Sequence, residues 1–208
     1  MRIIVVTGGI AMGKSTVCRF LLEKLPSGTP FFDADDCVHK LLTREDLVAR
    51  ISESFGEDLT TPDGLLDRPR LRKLVFDSAD RRAELEGILH PEVRREFEDM
   101  RESPREAAYL LADIPLFFES RAPYPADVVV VVASSSEVQR ARLQARPGIS
   151  ESDADKIISS QLPIEYKIQA ANAVLFNDGT QRCLEHQLEY LTQWLAKKTP
   201  SSFPTTSP

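Results

Sequence analysis

Cysteine is scarce in this 208-residue chain: Cys18, Cys37 and Cys183 are the only three. An odd number without metal-ligand spacing suggests neither a disulfide framework nor a zinc site, and leaves the thiols as small buried or half-buried hydrophobes. No apolar run approaches the ~18 residues of a membrane-crossing helix. The first residues enter an apolar strand directly, without the charged and then apolar pattern of a cleavable leader, so a cytoplasmic location is expected. Positive charge is in deficit too: 26 Lys and Arg against 32 Asp and Glu give a formal net charge of -6. That balance argues against broad binding to nucleic acid or to an anionic membrane. Any polyanionic ligand must be held by a local cluster of cations.

Such a cluster begins at residue 8. Gly8-Gly9-Ile10-Ala11-Met12-Gly13-Lys14-Ser15 spells G-x-x-x-x-G-K-[ST], the pattern of a phosphate-binding loop. Its context is the one the chemistry requires. Ile3, Ile4, Val5 and Val6 before it form a β-branched apolar run that reads as a buried parallel strand, and Thr16 to Leu22 after it read as a helix with one apolar face. Backbone N–H groups and a helix N-terminus then converge on one spot, where Lys14 reaches phosphates and the Ser15 hydroxyl joins a magnesium shell. The pattern predicts binding of a nucleoside triphosphate with Mg2+. Gly9, Ile10, Ala11, Met12, Gly13, Lys14, Ser15 and Thr16 are the expected contacts. Ala11 and Met12 stand where smaller residues are usual, and the Met12 side chain is expected to point away from the phosphates.

Beyond the loop, Phe31-Phe32-Asp33 reads as the end of a second strand. Helical spacing runs from Val38 to Phe55 with a break near Thr43, and Pro62-Asp63-Gly64 makes a turn. A second helical stretch runs from Asp67 to about Met100, with interruptions expected near Asp77 and at Pro91. Strands return at Ala107 to Ala112, ending on Asp113, at the five valines Val128 to Val132, and at Ala173 to Phe176. Strands alternating with helices imply a parallel sheet, and ligands of such sheets sit beyond the carboxyl ends of the strands. Gly8 to Ser15, Asp33, Asp113 and Asn177 should meet there. The last helix, about Arg182 to Lys197, presents Leu184, Leu188, Leu191 and Leu195 on one stripe with Trp194 packed beside them.

Phosphoryl transfer needs a donor cradle, a metal, positive charge on the migrating group and a group that orients the acceptor. Asp33 is the candidate for the last of these, a carboxylate able to accept a hydroxyl proton; the alternative is that Asp33 or Asp35 caps the helix that follows. Arg142 and Arg146, four residues apart, would project from one helix face toward the phosphates, while Arg140 points elsewhere. Pro147-Gly148 ends that helix and creates a helix-turn-helix flap. Asp113 is a candidate metal-supporting carboxylate, with an ordinary strand-end aspartate as the alternative. His39 and His186 receive no role, and His90 only a weak one.

Taken together, these residues resemble the dephospho-CoA kinase family. The resemblance extends from Ile3 to about Gly179. It rests on Thr7-Gly8-Gly9-Ile10 with Gly13-Lys14-Ser15-Thr16, Asp33-Ala34-Asp35, Phe55-Gly56, Gly64, Asp67-Arg68 with Leu71, and Val75-Phe76. Further on come Leu89-His90-Pro91, Pro115-Leu116-Phe117-Phe118-Glu119, Gln139 with Arg142 and Arg146, Gln161, and Asn177-Asp178-Gly179. The resemblance implies ATP- and Mg2+-dependent phosphorylation of the ribose 3'-hydroxyl of dephospho-CoA. It makes Asp33 the catalytic base, Lys14 the phosphate-bridging lysine and Arg142 and Arg146 lid arginines. Asn177 falls near the adenine site, and His90, Leu116 and Glu119 line the acceptor crevice. The fold class so implied is α/β: a P-loop kinase core with a five-stranded parallel sheet flanked by helices. A helical acceptor-binding insertion (about 38–104) and a helical lid (about 135–165) belong to the same domain, 1–198, followed by a disordered tail, 199–208. Ala11 and Met12 depart from the family's smaller loop residues and bear on ATP affinity; Pro147 replaces a frequent acidic residue and bears on lid closure. Two rival readings share the loop: a kinase of another small acceptor, and a nucleotide-dependent switch.

Overall fold

The computed structural model describes residues 1–76, 78–103, 106–120 and 124–197; the expected tail, 199–208, lies outside them. The chain divides into two compact units, one formed by Met1–Phe32 with the described part of 104–208, the other by Asp33–Ser103.

A five-stranded sheet is the frame of the first unit. Its strands are β1 (Arg2–Gly8), β2 (Phe31–Asp33), β3 (Tyr109–Asp113), β4 (Val128–Ala133) and β5 (Ala173–Phe176), in the order β2-β3-β1-β4-β5. β1 pairs in parallel with β3 and with β4, and β4 in parallel with β5. β1 and β4 are buried along their whole length, as central strands covered on both faces must be. Ile4 and Val6 of β1 and Val128, Val130 and Val132 of β4 pack in one cluster with Val17, Cys18 and Leu21 of α1 (Lys14–Lys24). Leu184, Leu188, Leu191 and Leu195 of the last helix complete it, with Trp194 partly buried against it. Each fully buried aliphatic side chain there is worth about 1.5–3 kcal/mol. At the exposed end of the sheet, Gln187 blunts β5: its Oε1 accepts from the Phe176 N–H and its Nε2 donates to the Phe176 carbonyl, both at 2.8 Å.

The second unit is helical, as its spacing predicts: α2 (Ala34–Leu41), α3 (Glu45–Phe55), α4 (Arg68–Phe76) and α5 (Ala79–Glu102). The break expected near Thr43 separates α2 from α3; the interruption expected near Asp77 falls on a residue outside the described ones, with α4 described to Phe76 and α5 starting after its extended N-cap, Ser78. The interruption expected at Pro91 does not occur. Pro91 lies inside the 24-residue α5, which runs through it. A proline in a helix interior costs about 3 kcal/mol; burial of Leu89, Val93 and Phe97 on the inner face of the same helix outweighs it. The carboxylate of Glu92 beside it takes Arg44 at 3.4 Å, Arg50 at 3.3 Å and Arg95 at 2.6 Å, which ties α3 to α5.

In the first unit β4 is followed by α6 (Ser136–Gln144), α7 (Glu151–Ser159) and α8 (Ile164–Ala170), and β5 by α9 (Gln181–Lys197). α6 and α7 form the expected helix-turn-helix, joined by an ion pair of 2.9 Å between Arg140 and Asp155. Among the described residues no helix is long and apolar enough to cross a membrane. Cys18 and Cys37 are buried as expected, but Cys183 is exposed, because α9 turns it away from the leucine stripe.

Candidate active site

The loop between β1 and α1 owes its shape to two glycines. At Gly8, φ is 149°, and a Cβ built there would stand 2.2 Å from the Val132 carbonyl oxygen; at Gly13, φ is 94°, and a Cβ would stand 2.2 Å from Asn177 Nδ2. No side chain fits at either position. Ala11 also has a positive φ, 59°, so the residue that departs from a smaller loop residue carries backbone strain. Met12 points inward as expected, 1% exposed.

Gly13 caps α1 without any side-chain bond, and α1 has no acidic residue in its first turn. Four other helices do the opposite. α2, α5, α6 and α7 each have an Asp or Ser N-cap that bonds a backbone N–H, followed by an acidic residue in the first turn. The positive end of the α1 dipole thus has neither a side-chain cap nor an acidic residue in its own first turn, the condition that favours a phosphate there. Lys14 folds back with Nζ 3.3 Å from the Gly9 carbonyl. Ser15 is exposed in the first turn of α1.

Side chains from distant parts of the first unit hold the loop. Asn177, just past β5, donates Nδ2 to the Met12 carbonyl at 3.0 Å, and its own carbonyl accepts from Arg142 Nη2 at 2.8 Å. The other Arg142 nitrogen, Nη1, is buried without a hydrogen-bond partner among the described residues. It stands 4.0 Å from where a Cβ on Gly13 would lie. Gln139 Nε2 donates to the Ile10 carbonyl at 3.0 Å, and Gln161 Oε1 accepts from the Ile10 N–H at 2.8 Å. Both glutamines belong to the motifs quoted above, yet nothing local in the sequence announces a bond to residue 10.

Arg146 does not share a helix face with Arg142. α6 ends at Gln144, and Arg146 stands exposed in the turn, because the residue before a proline is pushed out of helical conformation and position 147 is proline. Asp113 ends β3 with its side chain 5% exposed. Glu119 is half-buried: its Oε1 accepts from the Leu162 N–H at 3.1 Å and lies 2.6 Å from Lys167 Nζ. Leu116 is exposed. The structure thus brings together the loop, Arg142 and Asn177, with Gln139 and Gln161 added.

The other predicted residues belong to the second unit. Asp33 caps α2, its Oδ1 accepting from the Asp36 N–H at 2.9 Å, so the alternative reading of Asp33 as a cap is realised. A carboxylate has a second oxygen for other work. Asp35 lies exposed within α2, and His90 is exposed on α5. Close to Asp33, burial first and the Glu96 charge second push the Cys37 thiol up to about 11; it is protonated and inert at neutral pH.

The model of the family described as dephospho-CoA kinase matches residues 2–182. The chain belongs to the dephospho-CoA kinase family. A dephospho-CoA kinase of Bacillus cereus is 38% identical over 192 residues, covering 91% of this chain and 94% of that protein. One from Symbiobacterium thermophilum is 40% identical over 194 residues, covering 91% and 79%. The crystal structure of TT1252 from Thermus thermophilus superposes with a TM-score of 0.76 at 33% identity, covering 95% of this chain and 98% of that one. Family membership bears out the resemblance read from the motifs, and the five-stranded sheet with flanking helices bears out the fold class.

Proposed function

We propose that this chain transfers the γ-phosphoryl group of ATP to the ribose 3'-hydroxyl of dephospho-CoA, giving coenzyme A and ADP in the cytoplasm. The observation that carries this reading is Arg142 Nη1, a buried nitrogen of a part-buried guanidinium that has no hydrogen-bond partner among the described residues, beside a helix N-terminus without a side-chain cap. A buried unpaired donor of that kind is costly and needs an anion. The amides of Gly9 to Thr16 and the Lys14 ammonium hold the triphosphate, Asn177 borders the nucleotide, and Arg142 meets charge that grows on the migrating group, with Arg146 assigned to the same task on the family pattern alone. Asp33 receives the hydroxyl proton as the ribose oxygen bonds to phosphorus. The bond from phosphorus to the β-bridging oxygen breaks, and ADP leaves with the electron pair. His90, Leu116 and Glu119 are assigned to the acceptor side on the family pattern.

A divalent cation fits the donor set. Asp113 offers a buried carboxylate and Ser15 a hydroxyl, both hard oxygen ligands of the kind Mg2+ takes. Among the described residues no cluster of three or more His, Cys, Asp or Glu could bind a metal unaided, so phosphate oxygens and water must complete its shell. When bound, the ion neutralises charge across the phosphates.

Arg142→Met tests the assignment. Turnover is expected to fall by a factor of about 100 or more, with ATP affinity reduced much less, because the guanidinium acts on transition-state charge. Equal losses in both would reduce Arg142 to an affinity contact.

A further inference from the structure

Among the described residues, Lys167 is the lysine whose placement runs against its chemistry. Its side chain is 0% exposed on α8, with Nζ 2.6 Å from Glu119 Oε1 and the Glu119 side chain 18% exposed. Lysine is almost never fully buried, and an ion pair taken out of water returns little stability compared with an apolar pair of the same volume. Stability alone therefore does not account for it. The same Glu119 oxygen accepts from the Leu162 N–H at 3.1 Å. Leu162 directly follows Gln161, whose Oε1 accepts from the Ile10 N–H of the phosphate loop at 2.8 Å. From ammonium to loop the connection is continuous: Lys167 to Glu119, Glu119 to the 161–162 peptide, Gln161 to Ile10.

We propose that Lys167 is a positioning residue for the donor nucleotide. It fixes the Glu119 carboxylate, which pins the Leu162 amide; that peptide in turn sets Gln161, and Gln161 holds Ile10 in the conformation that presents the loop amides. The lysine suits this role better than a neutral residue, because its charge holds the Glu119 carboxylate in place, where an ionised oxygen is the stronger acceptor for the Leu162 N–H. Fixing the loop before ATP arrives lowers the ordering cost of binding. Glu119 is thereby also a link between the segment after β3 and the loop after β1. This inference rests on the reading that the loop binds ATP.

The test is calorimetric titration of the full chain with ATP, without acceptor. It compares wild type, Lys167→Met, Gln161→Ala and the combination of those two, with thermal unfolding measured alongside. Lys167→Met and Gln161→Ala should each weaken ATP binding about tenfold, the size of one lost hydrogen-bonded constraint, and the combined variant should bind no more weakly than the weaker single one. Lys167→Met leaves the half-buried Glu119 carboxylate without its counter-charge and can impair folding. Lys167→Met with Glu119→Gln removes both charges, retains the fold, and should show the same loss of ATP affinity. Wild-type affinity in that folded neutral variant would overturn the role of Lys167 while leaving the functional reading intact. So would losses that multiply between Lys167→Met and Gln161→Ala. Failure of the wild-type chain to bind ATP would overturn the functional reading and this role with it.

Discussion

Gln139 and Gln161 grip the two polar groups of a single residue: Gln139 donates to the Ile10 carbonyl at 3.0 Å, and Gln161 accepts from the Ile10 N–H at 2.8 Å. The conformation of the phosphate loop is therefore set from α6 and from the link after α7 as well as by its own glycines. Gln139 is 6% exposed, so water does not replace it freely. Gln139→Ala should raise the KM for ATP about tenfold, the effect of one lost hydrogen bond to a part-buried carbonyl, with a smaller change in kcat. Steady-state kinetics at saturating acceptor read it directly. An unchanged KM would detach α6 from the nucleotide site.

Strain at Ala11 makes a prediction of opposite sign. Its φ of 59° costs an L-residue about 1–2 kcal/mol, while glycine there loses about 0.5–1 kcal/mol through chain entropy. Ala11→Gly should accordingly stabilise the chain by about 0.5–1 kcal/mol, seen as a higher midpoint in thermal unfolding. Gly13→Ala should do the reverse and abolish turnover, because a Cβ there meets Asn177 Nδ2 at 2.2 Å.

Asp33 combines two duties that substitution can separate. Asparagine caps a helix as well as aspartate does, so Asp33→Asn keeps the bond to the Asp36 N–H and with it the stability of α2. It removes the proton acceptor, and turnover should fall by a factor of about 100 or more while ATP still binds. Asp33→Ala should lose both, with about 1 kcal/mol of stability lost as well. Full activity of Asp33→Asn would exclude Asp33 as the base.

The Cys37 thiol gives a pH dependence. Its pKa is raised in the folded chain to about 11 from an ordinary 9.0, so the folded form keeps a proton that the unfolded form releases. Stability from this group is complete below pH 9 and is lost as pH rises toward 11. Denaturant unfolding should show that decline, and Cys37→Ala should flatten it. At pH 8 a thiol reagent should label the exposed Cys183 first, with buried Cys37 and Cys18 protected. Rapid labelling of Cys37 in the folded protein would contradict its burial.

How legible was all this before folding? The loop and the five strands were, since each has a local signature: a glycine spacing beside a β-branched run, or five valines in a row. Ala173–Phe176 and Phe31–Asp33 matched their expected bounds. What escaped depends on tertiary contact. Gln139 and Gln161 reach Ile10 across 129 and 151 residues of chain, and polar side chains of that kind carry no periodicity. Nothing local in the sequence marks Lys167 as buried; only the fold brings Glu119 to it. Pro91 looked like a helix break because its cost is local, whereas the burial that overrides it is not. The Arg146 misplacement was readable in principle, since Pro147 directly follows it.

The most direct test is to incubate the purified chain with ATP, Mg2+ and dephospho-CoA, and to follow ADP release and the position of the new phosphate by phosphorus NMR. The account predicts one ADP per coenzyme A, phosphate on the ribose 3'-oxygen, and negligible ATP consumption without acceptor. ATP consumed equally with and without dephospho-CoA, or no 3'-phosphate formed, would contradict it.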